Sequence, residues 1–154
     1  MSYEPQLHIV LHEPEIPQNT GNIGRTCLAL RAKLWLVKPL GFRVDQKSLR
    51  RAGLDYWQHL NWQVVEDWAS LQAELPDREP WLFTKTASGL YTEAHFQDVE
   101  VLVFGSETRG LPQELLAAHP TRQLRIPIYE PVRSLNLSAA VAVAAFETVR
   151  QIRG

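Results

Sequence analysis

The sequence predicts an α/β fold: a single domain with a mostly parallel sheet flanked by helices. Three observations predict it. Short apolar, β-branched runs recur along the chain and alternate with stretches of helical spacing, the pattern of successive β-α units. Most of these runs are closed abruptly by proline or glycine, at Pro14, Pro39, Pro76, Gly105 and Pro127. The 154 residues, 45% hydrophobic and 21% charged, suit one globular domain, and no repeat, linker or low-complexity segment divides residues 1–154.

Residues 7–11 form the first strand, which Pro14 and Pro17 prevent from continuing because each removes a donor and restricts φ. Asn19-Thr20-Gly21-Asn22 then offers a polar turn with an N-cap, and Ile23, Cys27 and Leu30 follow at helical spacing, predicting a helix over residues 22–32. Residues 34–37 are a second strand, residues 47–52 a short basic helix, Val64 and Val65 a brief strand, and residues 68–75 a helix. Residues 81–84 and 101–104 are buried strands, residues 112–118 a helix with Pro112 in its first turn, and residues 124–126 the last strand. From residue 137 to 152 a final helix carries Leu137, Val141, Ala144, Ala145, Val149 and Ile152 on one face, with Val143 and Phe146 as a second apolar strip. A helix apolar on two faces has more to bury than one sheet surface covers, which predicts a second subunit.

Composition excludes several classes. The lone Cys27 allows no internal disulfide, and no Cys/His cluster has zinc spacing, so no metal is expected and a cytoplasmic location fits. The first residues lack the basic and apolar regions of a signal peptide, and no apolar run approaches the roughly 18 residues of a membrane span. A formal net charge of −1 argues against holding nucleic acid by bulk charge alone. Locally, however, Arg43, Lys47, Arg50 and Arg51 gather against Asp45, a patch compatible with RNA contact and equally with a solvated helix face.

Three segments carry more polar groups than their turns require. They are residues 19–25 (N-T-G-N-I-G-R), residues 104–112 (F-G-S-E-T-R-G-L-P), and residues 126–128 leading to 133–138 (R-S-L-N-L-S). Each follows a strand or opens a helix, where open α/β sheets place their ligands. Each also has a bland alternative: an N-cap, a pair of turn glycines, and the lead-in to the last helix. G-x-G-x-x-G, G-x-x-x-x-G-K-[ST] and G-x-S-x-G are all absent, which removes the usual dinucleotide, phosphoryl-transfer and hydrolase signatures. Cys27 falls on the apolar face of its helix and reads as a packed small hydrophobe.

Taken in order, these segments resemble the three sequence motifs of the SPOUT methyltransferases, in their TrmH-like branch. The runs Glu13-Pro14-Glu15-Ile16-Pro17 and Arg50-Arg51-Ala52-Gly53-Leu54-Asp55-Tyr56 narrow the likeness to the small members that methylate the wobble nucleotide of tRNA. The resemblance covers nearly the whole chain. It implies a deep trefoil knot over about residues 80–154, an exception to the rule that chains do not knot. It implies a homodimer, with the site at the subunit interface and no separate RNA-binding domain, and S-adenosyl-L-methionine as methyl donor. The implied cofactor-binding residues are Thr84, Lys85, Gly105, Glu107, Gly110, Ile126, Ile128, Ser134 and Asn136, with backbone groups of Gly105, Ile126 and Ile128 on the adenine and ribose. Members often carry an apolar residue near Lys85.

The implied reaction is methylation of the ribose 2′-hydroxyl of C34 or U34 in the anticodon stem-loop, with tRNA-Leu isoacceptors as the expected substrates. Alternatives are another tRNA position, rRNA, or a non-catalytic RNA-binding or assembly role. The resemblance marks Arg25 as catalytic, with Asn19 and Arg133 beside it, while Arg50 and Arg51 are candidates for the RNA backbone. Since an arginine pKa exceeds about 12, Arg25 either loses its proton transiently or anchors the RNA phosphate and stabilises the developing alkoxide. Tyr56 and Trp57 could stack on a base or pack in the core.

Overall fold

The structure is a computed structural model that describes residues 3–45, 47 and 55–154. The described strands form a seven-stranded sheet in the order β3-β2-β1-β6-β4-β7-β5, with every pairing parallel. Its strands are β1 (Leu7–His12), β2 (Ala32–Val37), β3 (Trp62–Val65), β4 (Trp81–Phe83), β5 (Gly89–Leu90), β6 (Glu100–Phe104) and β7 (Gln123–Arg125). The α-helices that lie wholly within the described residues are α1 (Pro17–Ala29), α2 (Trp68–Glu74), α3 (Gln113–Ala118) and α4 (Leu137–Arg153).

Alternation along β1 sorts two cores. Leu7, Ile9 and Leu11 point to one face, where Ile23 and Cys27 of α1 and Val141, Ala144 and Ala145 of α4 cover them. Val10 points to the other, against Trp35, Leu71 of α2, and Leu115 and Leu116 of α3. Helices therefore cover both faces, the condition under which an all-parallel sheet is stable. On the second face His8 is buried, and its Nδ1 accepts from Trp35 Nε1 at 3.0 Å, so the ring is neutral with its proton on Nε2. Burial, aided by Lys33 and Arg78, lowers its pKa to about 4.

The expected order of strands and helices is observed, and the parallel sheet with it. Residues 47–52, expected as a basic helix, lie outside the described residues except Lys47. The two-residue edge strand β5 is not among the expected elements. The largest correction concerns α1, which begins at Pro17 rather than at residue 22. Pro17 occupies the first helical position, where its missing N–H costs nothing, so Asn19 and Thr20 lie inside the helix and the N-cap is Ile16. That cap has no side-chain acceptor of its own. The groups that serve it come from the far end of β6.

Candidate active site

β6, β4 and β7 are neighbours in the sheet, and the segments leaving their carboxyl ends converge on one cleft of about 600 Å³. Its walls are Phe83 to Thr86 after β4, Phe104 to Leu111 after β6, Leu124 to Ile126 and Ile128 at β7, Ser134 to Leu137 entering α4, and Ile16 and Asn19 at the start of α1. The position, beyond the carboxyl ends of parallel strands, is the one at which this class of sheet binds ligands. Phe83 and Phe104 stack at 4.7 Å beneath it.

The loop after β6 is shaped by its glycines. A Cβ on Gly105 would lie 2.2 Å from the Gly110 carbonyl carbon and 2.5 Å from Leu111 N, so the backbones meet there and only glycine fits. Gly110 takes φ +66 and donates its N–H to Ser106 O at 3.0 Å, closing the turn. The turn aims Glu107 at the start of α1. Its carboxylate accepts from Glu15 N at 2.8 Å, Ile16 N at 3.0 Å and Asn19 Nδ2 at 3.1 Å. A carboxylate on the free N–H groups of a helix start also meets the positive end of the helix dipole.

Asn19 passes the connection on. Its Oδ1 accepts from Asn136 Nδ2 at 3.0 Å, and Asn136 Oδ1 caps α4 by accepting from Ser138 N at 2.9 Å and Ala139 N at 3.3 Å. Glu107, Asn19 and Asn136 thus form one chain of hydrogen bonds that orients both amides. It ties the loop after β6 to the starts of α1 and α4. Asn19 is buried, so each of these bonds replaces water it has lost.

A second set of contacts runs alongside. Glu15 accepts from Thr108 N at 2.9 Å and Thr108 Oγ1 at 2.7 Å, and those bonds lower the Glu15 pKa. Gly41 N donates to Pro14 O at 2.9 Å, and a Cβ on Gly41 would strike Glu15 Cα at 2.7 Å. Residues 14–16 are thereby clamped between Gly41 and the loop after β6.

All nine residues expected to bind the cofactor, Thr84, Lys85, Gly105, Glu107, Gly110, Ile126, Ile128, Ser134 and Asn136, line this cleft, as does Asn19. Arg25 and Arg133 do not line it; both are exposed. Arg25 lies over the Tyr56 ring, 5.1 Å from its centroid, while the Tyr56 hydroxyl donates to Gly21 O. Arg50 and Arg51 lie outside the described residues. Trp57 packs against Gly24 and, at 5.2 Å, against Trp62. Cys27 is wholly buried, which raises its thiol pKa and keeps it inert. Arg125 and Thr86 also line the cleft and escape the sequence reading. The signal for Arg125 was its place immediately before Ile126-Pro127-Ile128.

Residues 6–146 match a family described as the SpoU rRNA Methylase family. The chain is 48% identical over 147 residues to the tRNA (cytidine(34)-2'-O)-methyltransferase of Burkholderia cenocepacia, covering 94% of each. It is 46% identical over 144 residues to the enzyme of the same name from Methylovorus glucosotrophus, covering 93% of this chain and 94% of the relative. A solved structure on the 2-OH methylation of C/U34 on tRNA is similar at TM-score 0.88 and 46% identity, covering 94% of this chain and 95% of that one. The methyltransferase AviRb from Streptomyces viridochromogenes, solved with AdoMet, shares the fold at TM-score 0.80 and 23% identity, covering 98% of this chain and 59% of that one. With the family match spanning most of its length, and relatives nearly half identical from end to end, this chain belongs to the SpoU methylase family.

Proposed function

We propose that the chain transfers a methyl group from S-adenosyl-L-methionine to the ribose 2′-hydroxyl of the wobble nucleotide, C34 or U34, of tRNA. The observation that carries this reading is the cleft itself. The three motifs of a ribose methyltransferase build it together, in a chain whose full-length relatives are named for that reaction.

The cleft suits the donor. Its volume of about 600 Å³ falls in the usual range for small-molecule sites, and apolar Phe83, Phe104, Leu124 and Ile126 offer a wall for a purine. Thr84, Lys85, Gly105, Glu107, Gly110, Ile126, Ile128, Ser134 and Asn136 would hold it, Glu107 by fixing Asn19 and the loop rather than as a free carboxylate. Bound there, S-adenosyl-L-methionine supplies a methyl group already activated as a sulfonium. The remaining work is to align a hydroxyl and manage its proton.

Arg25 is the residue for that work, anchoring the RNA phosphate and stabilising the developing alkoxide, with Arg133 and Asn19 on the substrate side. Arg25 follows Asn19 by six residues of α1, about 240° around the helix and about 9 Å along it, so it faces away from its own cleft. This supports a homodimer in which each Arg25 serves the cleft of the other copy. The exposed Val143 and Phe146 of α4 and Ile16 at the start of α1 supply apolar surface for that contact. The fine path of the chain belongs to the same proposal: a trefoil knot over about residues 80–154, with the cofactor in it. Arg50 and Arg51 contact the RNA backbone, the expected isoacceptor is a tRNA-Leu, and a tRNA substrate implies the cytoplasm.

The test is transfer of labelled methyl from S-adenosyl-L-methionine to total RNA lacking this modification. Label in tRNA with wild type, and none with an Arg25→Ala variant that still binds the donor, is expected. Label in rRNA alone would change the substrate. Donor binding without transfer to any RNA would favour a non-catalytic role.

A further inference from the structure

The segment between β7 and α4 does two things at once. Ile128 and Ser134 turn into the cleft wall, while the residues between them turn out to solvent. Tyr129 is the extreme case. At 89% exposure it is the most exposed large hydrophobic residue described, and it directly follows Ile128, so its Cα lies about 3.8 Å from that of a cleft-wall residue. A tyrosine ring left in water forgoes the burial that ordinarily repays its apolar area. Cations flank it: Arg125 lines the cleft, and Arg133 is exposed on the same segment.

An exposed aromatic ring next in sequence to a cleft-wall residue, with an arginine four residues to either side, has the chemistry of a single-stranded RNA contact. Unpaired bases stack on aromatic rings whatever their sequence, while arginines meet the phosphates on either side. Glu130 and Arg133, exposed on the same segment, are charged, and Val132 there is a further exposed apolar residue. Resting on the reading of the cleft as a ribose methyltransferase site, we infer that Tyr129 is a stacking platform for an unpaired nucleobase adjacent to the methylated nucleotide. The ring positions that base so that the target ribose hangs over the cleft. The contact is with the face of the ring and does not need its hydroxyl.

The test uses the full chain and an anticodon stem-loop RNA carrying 2-aminopurine beside nucleotide 34, whose fluorescence is quenched by stacking. Wild type should quench the probe. Tyr129→Ala should lose the quench and bind the RNA about tenfold more weakly. Its affinity for S-adenosyl-L-methionine and its size in solution should be unchanged. Tyr129→Phe should restore both quench and affinity. An unchanged quench and affinity in Tyr129→Ala would overturn the inference, as would a Phe variant as weak as Ala. A Tyr129→Ala protein that changes its oligomeric size would reassign the residue to a protein contact. The binding readouts need no turnover, so a wild type that quenches the probe but transfers no methyl would defeat the reading of the cleft and leave the role of Tyr129 standing.

Discussion

Asn136 Nδ2 donates to Asn19 Oδ1 at 3.0 Å, joining residues 117 apart in sequence at the point where α1 and α4 both begin. Because Asn19 also donates to Glu107, and Asn136 also caps α4, one half-buried amide contact holds three walls of the cleft in register.

The two roles of Asn136 separate by substitution. Asn136→Ala removes the cap and the link together and should cost about 1–2 kcal/mol in urea unfolding. Asn136→Asp keeps an acceptor for Ser138 N and Ala139 N but sets a carboxylate against Asn19 Oδ1, whose amide cannot flip without losing Glu107. Its stability should stay nearer wild type than that of the alanine variant, while its affinity for S-adenosyl-L-methionine falls about tenfold, the cost of replacing a neutral amide–amide bond by a carboxylate facing an amide oxygen. Wild-type donor affinity in Asn136→Asp would show that the link does not shape the cleft.

Gly24 sits in mid-helix, where alanine ordinarily gains about 1 kcal/mol. Here a Cβ would lie 2.2 Å from Trp57 Cζ3 and 2.9 Å from Cε3, on an indole already packed against Trp62. The clash should win, and Gly24→Ala should destabilise by about 1–3 kcal/mol. In a Trp57→Leu background the same change should cost less or stabilise, which a double-mutant cycle of unfolding free energies measures.

His8 links stability to pH. Burial holds its folded pKa at about 4 against an ordinary value of 6.5, so between those values the unfolded chain binds a proton that the folded chain refuses. The contribution of this group is full above pH 6.5 and is lost as pH falls through 4, on the order of 3 kcal/mol in all. Burial lowers the His12 pKa also, so its contribution has the same sign. His8→Gln, which can still accept from Trp35 and carries no charge, should flatten the acid slope of unfolding free energy in that window. An unchanged slope would assign the acid sensitivity elsewhere.

If each Arg25 serves the other copy's cleft, two inactive variants should complement. Arg25→Ala keeps an intact cleft, and Gly105→Ala keeps an intact Arg25 while a Cβ forces the loop off Gly110. Mixed dimers of the two hold one site with both parts, and methyl transfer should return on mixing. No recovery, with mixed dimers present, would place Arg25 in its own cleft.

How much of this was legible in sequence follows from locality. Strand and helix order came from alternation and helical spacing, because each signal lies within a few neighbouring residues, while the cleft residues, Thr84 and Lys85 among them, came from the resemblance to the methyltransferase family. The start of α1 was not legible. Ile16 has no capping side chain of its own, and the group that serves it, Glu107, is 91 residues away. Asn19 looked like a cap for the same reason, and its partners Glu107 and Asn136 exist only once the strands are ordered. The edge strand β5 is two residues long and pairs with β7 alone, too little to leave a period. Arg125 was hidden because a lone cation at a strand end is ordinary until neighbouring strands bring a cleft to it.

A methyl group directed by this cleft goes to one oxygen of one nucleotide. Alkaline hydrolysis of the labelled tRNA tests it directly, since a methylated 2′-oxygen cannot attack its phosphodiester and leaves that linkage uncut. The label is expected in an alkali-resistant dinucleotide containing nucleotide 34. Label in fully hydrolysed mononucleotides, which would place the methyl on a base, or in a resistant dinucleotide from elsewhere in the tRNA, would contradict it.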